Sequence, residues 1–430
     1  MGGMLALGPA ARAAWAAPVN QRGAIERQGR AWVETRRCTV PAGATGQLTV
    51  RAQFGSIEVT AGTLDCEVVL RAYTLSKAEA QRLFRGFRLT VKTLNPAAVL
   101  IRSQSSASAR AGERLSADFQ IEVPAGFNLD LETGGGDISV PSSFRGSVRA
   151  ITAGGNVRIG KVRGPVKIET SGGNITLGGS GSEVDARTAG GSIHAGNIAG
   201  DATLESSGGD ITAGTIGGRA RIETAGGDIT LAGADKSVVA ETSGGQIRLG
   251  QTEGDVRAET AGGSIILKGA RGFVRVQTAG GSINLFNLSG AVHAETAAGS
   301  ILAQLALRAR NFQASQLETS SGGVTVYIPS HLPLTIRAQV ENAAGHRIVS
   351  DFPLTVEGAS QVFAGRPLRA EGRLNGGGET LSIQTTGGGI EIRKLDAQTL
   401  EQLKKREDRF WKRWALNLPG ATEEAGNAGE

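Results

Sequence analysis

The sequence is poor in the residue types that usually build metal, redox and aromatic-rich sites. Among 430 residues there are two cysteines and four histidines, and aromatic residues make up 4% of the chain. The cysteines lack CxxC spacing and the histidines form no cluster, so we expect no metal site, no redox centre and no bound cofactor. With 64 glycines and 20% charged residues, the composition suits thin β coils with tight corners better than a thick globular core.

Long apolar segments are also scarce. Beyond Met1–Ala17, no apolar run reaches the ~20 residues that a membrane-spanning helix needs. Residues Met1–Ala17 are small and apolar and end in Ala-Trp-Ala-Ala, which resembles the cleavage region of a signal peptide, although the usual leading Lys or Arg is missing. We expect an export signal with a truncated or misplaced start; the alternative is a disordered, alanine-rich leader. Export would place the protein in the periplasm, at the cell surface or in the medium.

The charge balance gives little support for nucleic-acid binding. The net charge is +6 and the pI is about 9.6, but the basic residues are spread along the chain. Nucleic-acid interfaces usually cluster basic residues on one surface together with side chains that contact bases. We therefore expect no nucleic acid among the partners.

The most informative stretch runs from Thr152 to Ile301, where one six-residue phrase recurs. It reads TAGGNV, TSGGNI, TAGGSI, SSGGDI, TAGGDI, TSGGQI, TAGGSI, TAGGSI and TAAGSI. The second glycine of each phrase falls at Gly155, Gly173, Gly191, Gly209, Gly227, Gly245, Gly263, Gly281 and Gly299. All eight intervals are 18 residues long, which predicts a solenoid.

Within one period, apolar or small residues alternate with polar ones, which is typical of β-strands. In the period Gly254–Arg271, Val256 and Ile265 lie nine residues apart, as do Ala258 and Leu267. Each coil should therefore contain two strands, one in each of two sheets. Stacked at about 4.8 Å, about eleven coils would make a rod on the order of 50 Å long.

Two inward columns can be read from the repeats, and burying them would stabilise coils that could not fold alone. One column is Val148, Val166, Val184, Ala202, Ala220, Val238, Val256, Val274 and Val292, and the other is Ile175, Ile193, Ile211, Ile229, Ile247, Ile265, Ile283 and Ile301. The glycine pairs fit corners where the backbone needs positive φ or where no Cβ fits.

The predicted fold is an all-β, single-chain β-solenoid with 18-residue two-strand coils, an amino-terminal β cap and a carboxyl-terminal amphipathic helix. The cap should contain a short helix at Ser76–Phe87, with Ser76 as N-cap and Glu79 at the capping-box position. After Gly299 the next glycine pair ends at Gly323, a step of 24, so an insertion around Leu305–Gln316 should bulge or form a short helix. The predicted boundaries are 1–17 for the signal peptide, 18–32 for a flexible leader, 33–130 for the β cap, 131–323 for the solenoid, 324–394 for carboxyl-terminal β coils or cap, 395–418 for the amphipathic helix and 419–430 for a disordered tail.

Cys38 and Cys66 lie 28 residues apart in the predicted cap. In an oxidising compartment this pair could form a structural disulfide, worth about 3 kcal/mol in the chain-entropy model. Two buried free thiols are the alternative.

The segment Asp396–Leu416 has the pattern of an amphipathic helix. Its apolar residues are Leu400, Leu403, Phe410, Trp411 and Trp414, and its basic residues are Lys404, Lys405, Arg406, Arg409, Lys412 and Arg413. Such a helix could make peripheral contact with an anionic membrane or bind a partner. The favoured interpretation is a helix packed over the last coil, because the end of a solenoid needs covering.

Some solenoids are polysaccharide lyases or hydrolases, so recurrent carboxylates need attention. Glutamates share one coil position at Glu169, Glu205, Glu223, Glu241, Glu259 and Glu295, and Lys167, Arg221, Arg257 and Arg275 stand at the position two residues earlier in their coils. A glycosidase needs two carboxylates at a defined separation in a cleft. A regular ladder with basic neighbours is typical of a solvated face, and His194 and His293 lie on distant coils. We therefore predict no catalytic residues.

Calcium-binding β-rolls place aspartate after glycine pairs, as Asp137, Asp210 and Asp228 do here. The other coils have Asn, Ser or Gln at this position, so we do not expect a calcium site.

Several segments resemble a known family. FQIEVPAGFNLDLETGGGDISV, the TxGGxI coils, VTVYIPSHLPLTIRAQVENAAGHRIVSDFPLTVEG and LSIQTTGGGIEIRK resemble the bacterial putative-adhesin family of β-strand-repeat domains over roughly Val33–Arg393. The function of that family is largely unassigned. The resemblance implies an envelope or surface location and an adhesive role, and it brings no catalytic motif.

The sequence thus predicts a non-enzymatic, extracytoplasmic β-solenoid that acts as an adhesin-like binding or scaffold protein of the bacterial cell envelope. Its expected partner is a glycan or an envelope protein, held by many weak contacts along repeated Thr, Ser, Asn and charged columns. Two alternatives stay open: a carbohydrate-active β-helix enzyme and a purely structural envelope spacer.

Overall fold

The computed structural model describes residues 19–39, 43–95, 97–106, 114–307, 312–358 and 366–405. Within these ranges nearly all regular structure is β, as predicted. The chain divides into two compact units, Met1–Arg145 (unit 1) and Gly146–Glu430 (unit 2). A search of the described ranges finds no helix with the length and apolar character needed to cross a bilayer.

Unit 1 contains eleven strands and one helix. They are β1 (Val19–Arg22), β2 (Glu26–Gln28), β3 (Ala31–Thr39), β4 (Thr45–Ala52), β5 (Ser56–Ala61), β6 (Asp65–Ala72), α1 (Lys77–Gly86), β7 (Phe87–Asn95), β8 (Ala98–Ser105), β9 (Leu115–Val123), β10 (Gly126–Thr133) and β11 (Ile138–Val140). One sheet has the order β10-β4-β8-β7. The other has the order β11-β5-β9-β6-β3, with β1 and β2 both paired to β3.

The segment expected to be a flexible leader instead contributes two strands. β2 and β1 pair with successive parts of β3, at Ala31–Val33 and Arg36–Thr39. Since β6 pairs with only one side of β3, these strands satisfy backbone groups that would otherwise form an open edge.

Helix α1 lies within the predicted range, and polar groups hold both of its ends. Glu79 N–H donates to Ser76 Oγ at 3.2 Å, but the Glu79 carboxylate accepts from Arg114 Nη1 at 2.8 Å, so the predicted capping box is only half formed. At the other end, buried Arg36 donates to Phe84 O at 2.7 Å and to Phe87 O at 2.8 Å. Burial lowers the pKa of Arg36, and a 2.7 Å hydrogen bond to Glu34 opposes that shift.

Unit 2 is a solenoid whose strands alternate between two sheets. Sheet 1 contains β12 (Val148–Thr152), β14 (Val166–Thr170), β16 (Val184–Thr188), β18 (Ala202–Ser206), β20 (Ala220–Thr224), β22 (Val238–Thr242), β24 (Val256–Thr260), β26 (Val274–Thr278), β28 (Val292–Thr296), β30 (Ser315–Thr319), β32 (Leu334–Val340), β34 (Thr355–Glu357), β35 (Leu368–Leu374) and β36 (Thr380–Thr385). Sheet 2 contains β13 (Val157–Val162), β15 (Ile175–Ser180), β17 (Ile193–Ala195), β19 (Ile211–Ile216), β21 (Ile229–Ala234), β23 (Ile247–Thr252), β25 (Ile265–Ala270), β27 (Ile283–Leu288), β29 (Ile301–Leu305), β31 (Val324–Pro329), β33 (Ile348–Ser350) and β37 (Ile390–Leu395). A second helix, α2, covers 397–405.

The predicted register is confirmed. From β12 to β28 each sheet 1 strand pairs in parallel with its copy 18 residues later, as in Val166↔Val184, and sheet 2 does the same, as in Ile175↔Ile193. Every member of both predicted columns is 3% exposed or less. Burial of these columns between the sheets stabilises the stack.

The recurrent threonine and the second glycine close each corner together. Thr170 Oγ1 donates to Gly155 O of the preceding coil at 2.9 Å and accepts from Gly173 N–H of its own coil at 3.2 Å. A Cβ built on Gly173 would lie 2.0 Å from Gly155 O, and this glycine does not have positive φ. Of the two reasons expected for the second glycine, lack of room for Cβ is therefore the one that applies here.

The insertion after β29 has a different length from the one expected. Ile301 pairs with Val324, a step of 23, because Gly322 takes the place of Gly299 and Gly323 takes that of Ser300. Its described residues, 306–307 and 312–314, contain no helix, and residues 308–311 lie outside the described ranges.

The end of the solenoid is interlocked. β36 lies between β30 and β32, and β37 lies between β31 and β33, so the last two strands of the chain sit one coil inside the edge. Antiparallel β35 and then β34 follow β32 at the edge. The predicted carboxyl-terminal β region therefore closes the stack with short antiparallel strands, which discourage edge-to-edge pairing.

Candidate functional site

The outward face of sheet 1 carries the recurrent glutamates. The register makes four of them direct neighbours on successive strands: Glu205, Glu223, Glu241 and Glu259. Adjacent like charges on a sheet repel each other, so this column needs compensating cations.

Basic side chains from the neighbouring column and strand supply that compensation. Arg257 lies 2.9 Å from Glu259 and 3.6 Å from Glu241, and Arg187 Nη1 lies 3.3 Å from Glu205 Oε2. Further pairs join Lys167 to Glu169 and Arg221 to Glu223. These side chains are between 29% and 55% exposed, so the face is polar, ion-paired and accessible to a ligand.

The aspartates that follow glycine pairs have a structural role. Asp210 Oδ1 accepts from the N–H of Asp228 at 2.8 Å, and Asp228 Oδ1 accepts from the N–H of Gln246 at 2.8 Å. Asn156 and Asn174 make the same contact to the next coil, which explains why Asn and Asp interchange here. No group of three or more His, Cys, Asp or Glu residues suited to a metal ion is found in the described ranges.

A second aspartate ladder follows the other corner. Asp201 accepts from the Arg219 N–H at 2.8 Å and from Arg219 Nη2 at 3.1 Å. The backbone N–H, followed by the guanidinium, lowers the pKa of Asp201. Asp255 likewise accepts from Phe273 N–H at 2.8 Å. These carboxylates link successive coils.

The two histidines noted in the sequence are not brought together. His194 lies on β17 in sheet 2 and His293 lies on β28 in sheet 1. Neither joins the glutamates into a catalytic constellation.

Cys38 and Cys66 lie directly opposite each other on antiparallel β3 and β6, and the structure joins their sulfur atoms. Their Cα atoms are 5.1 Å apart, within the range of about 4.4–6.8 Å found in disulfides. Both residues are buried.

The predicted amphipathic helix is partly described. Asp396 caps α2 by accepting from the Thr399 N–H at 2.7 Å, Leu403 is buried and Leu400 is half-buried. Phe410, Trp411 and Trp414 lie outside the described residues.

Near this helix, sheet 2 carries an apolar patch that sequence reasoning missed. Its outward members are Ile266, Phe286 and Leu302, with Tyr327 packed against them. The first three are at most 6% exposed although they stand at positions where earlier coils have Thr176 or Thr212. A one-coil view hides this patch because its members belong to four different strands.

Sequence reasoning also missed a cavity in unit 1. It has a volume of about 810 Å³ and opens widely to solvent; we call it the basic groove. Its lining consists of Arg51, Ala52, Gln53, Arg88, Arg102, Ser103, Gln104, Ser105, Ser106 and Glu132. The three arginines are far apart in sequence, and strand pairing alone brings them together.

No protein-family profile and no curated protein matches the chain. Solved structures that align with it include a putative adhesin from Bacteroides fragilis NCTC 9343, at 16% identity, with 57% of this chain and 96% of that protein covered and a TM-score of 0.26. Another is a putative cell adhesion protein from Clostridium sporogenes ATCC 15579, at 9% identity, with 88% of this chain and all of that protein covered and a TM-score of 0.15. These alignments are too distant to assign a function.

Proposed function

We propose that the protein is a non-enzymatic, adhesin-like binding or scaffold protein of the bacterial cell envelope. The outward face of sheet 1 would bind an extended polymer such as a glycan. One observation carries this proposal: equivalent polar side chains stand in straight columns on nine successive strands, β12 to β28. A polymer lying along the columns could make many weak contacts that add up to useful affinity. The export-like leader and the family resemblance support a location outside the cytoplasm.

Binding without cleavage fits this face better than hydrolysis. Carboxylates that act as acid and base in a glycosidase need different environments, which separate their pKa values. Here Glu205, Glu223 and Glu259 all lie on one face and all are ion-paired to arginine. Regularity of this kind favours repeated contacts and distinguishes no single carboxylate.

The test is a co-sedimentation and glycan-binding screen of the full chain against cell-envelope fractions and purified polysaccharides, with product analysis of every polymer that binds. A triple variant, Glu223→Gln, Glu241→Gln and Glu259→Gln, should weaken binding at least about tenfold. A matched triple, Glu183→Gln, Glu253→Gln and Glu391→Gln, changes carboxylates outside this column and should bind as the native chain does.

Saturable binding without cleavage, lost only in the first triple variant, is the expected result. Reproducible cleavage products would establish the enzyme alternative instead. Absence of binding to any fraction would leave the structural spacer as the better description.

A further inference from the structure

The basic groove of unit 1 contains an electrostatic imbalance. Arg51 on β4 and Arg102 on β8 lie directly opposite each other in the parallel ladder. Like charges at facing positions on a sheet are destabilising unless something compensates them. Arg88, on the neighbouring strand β7, adds a third cation to the same lining.

The compensation reaches only one of the three arginines. Arg51 contacts Asp130, and its Nε lies 3.2 Å from Glu132 Oε2, with both carboxylates on β10. In the part of the chain that the structure describes, neither Arg88 nor Arg102 has a hydrogen-bond or ion-pair partner for its guanidinium. Both side chains are exposed. The groove is therefore neutralised at its β10 side and cationic at its β8 and β7 side.

Neutral polar groups surround the two unpartnered arginines. Gln104 stands opposite Arg88 in the β7–β8 register, and Gln53 Oε1 accepts from the Ser105 N–H at 2.6 Å. That bond leaves the Gln53 amide group available as a donor. Arginine and amide donors together suit an oxyanion, because the planar guanidinium can bind carboxylate, sulfate or phosphate oxygens in bidentate fashion.

We propose that the basic groove is a binding site for an acidic polysaccharide, with a carboxylate or sulfate group held between Arg88 and Arg102. The groove is open, so an extended chain can pass through it. Its lining has no aromatic side chain on which a nucleic-acid base could stack, and Ala52 is the one apolar residue there, which offers little to a lipid tail. The site lies in unit 1 and does not rest on the proposal for the face of sheet 1.

The experiment measures binding of the full chain to a polyuronate, a sulfated polysaccharide and a neutral glucan by isothermal titration calorimetry. The double variant Arg88→Ala and Arg102→Ala should bind both acidic polymers at least about tenfold more weakly, equivalent to about 1.4 kcal/mol. The control Arg163→Ala and Arg275→Ala removes the same charge from exposed arginines of unit 2 and should leave the affinity unchanged. Raising the salt concentration should weaken binding of the native chain, because the contacts are exposed charges.

A variant of opposite sign makes the test sharper. Glu132→Gln removes one carboxylate that occupies Arg51, so it should tighten binding. Loss of binding through unfolding is checked by thermal melting, where Arg102→Ala should keep or raise Tm because it removes the repulsion from Arg51.

Equal affinity of the Arg88/Arg102 double variant and its control would overturn the proposal. Preference for anionic phospholipid vesicles or single-stranded DNA over the acidic polymers would also overturn it. Since these arginines lie outside sheet 1, loss of the sheet 1 interaction in the glutamate triple variant and loss of acidic-polymer binding here are separate results.

Discussion

At the scale of single residues, the repeated phrase TxGG works as a joint between coils. The threonine hydroxyl is at once a donor to the preceding coil and an acceptor within its own coil, and the second glycine leaves room for the carbonyl that accepts the bond. Buried polar groups that lose a partner cost more than the net value of one hydrogen bond. The motif is therefore explained by folding and needs no ligand.

Replacing one threonine should show this cost. Thr242 Oγ1 donates to Gly227 O at 2.9 Å and accepts from Gly245 N–H at 3.3 Å. Thr242→Val keeps the shape but leaves both backbone groups without a partner, so it should destabilise the protein by about 1–3 kcal/mol in urea unfolding. Thr242→Ser is the control, because Ser206 makes the same bonds at its own corner. Equal stability of the Val and Ser variants would contradict this account.

The two glycines of a phrase should differ in their tolerance of a methyl group. A Cβ on Gly173 would lie 2.0 Å from Gly155 O, whereas one on Gly172 would lie 3.6 Å from Gly154 O. Gly173→Ala should therefore destabilise the protein by about 3 kcal/mol, at the upper end for overpacking, and Gly172→Ala should be nearly neutral. Ala298 already occupies the first-glycine position of its phrase. Similar unfolding midpoints for the two variants would show that the corner is looser than described.

At the scale of elements, pairs of strands are pinned by neighbours that come from distant parts of the sequence. In unit 2, β36 and β37 are inserted between earlier coils. In unit 1, β4 lies between β10 and β8, and β5 lies between β11 and β9. In each unit, these inserted strands are paired on both sides while antiparallel strands take the edge.

The bond between β3 and β6 is testable by chemistry. We expect the exported protein to contain no free thiol, because Cys38 and Cys66 face each other within disulfide range. Thiol alkylation under denaturing conditions, read by mass spectrometry, should label neither cysteine before reduction. Reduction, or the double variant Cys38→Ser and Cys66→Ser, should lower stability by about 3 kcal/mol. Two alkylated cysteines in unreduced protein would support the free-thiol alternative.

The apolar patch on sheet 2 leads to a prediction about the amphipathic segment. α2 follows β37, and the strand order β37-β31-β29-β27-β25 leads from Arg393 beside Tyr327 to Ile266. Four strand spacings are about 19 Å, and a helix from Leu400 to Trp414 would be about 21 Å long. We therefore expect this segment to lie across the strands and cover the patch.

Removing the segment should expose the patch. A chain truncated after Leu395 should bind a hydrophobic dye more strongly than the full chain. Adding Ile266→Thr and Leu302→Thr to the truncated chain should reverse the increase, because threonine stands at the equivalent position in coils such as that of Thr230. Unchanged dye binding after truncation, together with binding of the full chain to anionic vesicles, would favour the membrane interpretation.

At the scale of the whole molecule, the 18-residue repeat was enough to predict the coil, the two sheets and both buried columns, because one side chain at each position decides burial. Features that depend on distant pairings could not be predicted in the same way. The insertion of β36 between β30 and β32, the pairing of β1 and β2 with β3, and the meeting of Arg51 with Arg102 have no local signature. The step at Gly323 was misread because glycine pairs were counted, whereas the register follows the buried threonine and isoleucine positions.

The central claim is that equivalent side chains of successive coils stand in straight columns one strand spacing apart. Distances between spin labels at Glu169→Cys and Glu259→Cys, five strands apart, and at Glu169→Cys and Glu295→Cys, seven strands apart, test it directly in a Cys38→Ser and Cys66→Ser background. We predict distances of about 24 Å and about 34 Å, so that two further coils add only about 10 Å. Distances that fail to rise in this proportion would contradict the stacked register on which the binding columns depend.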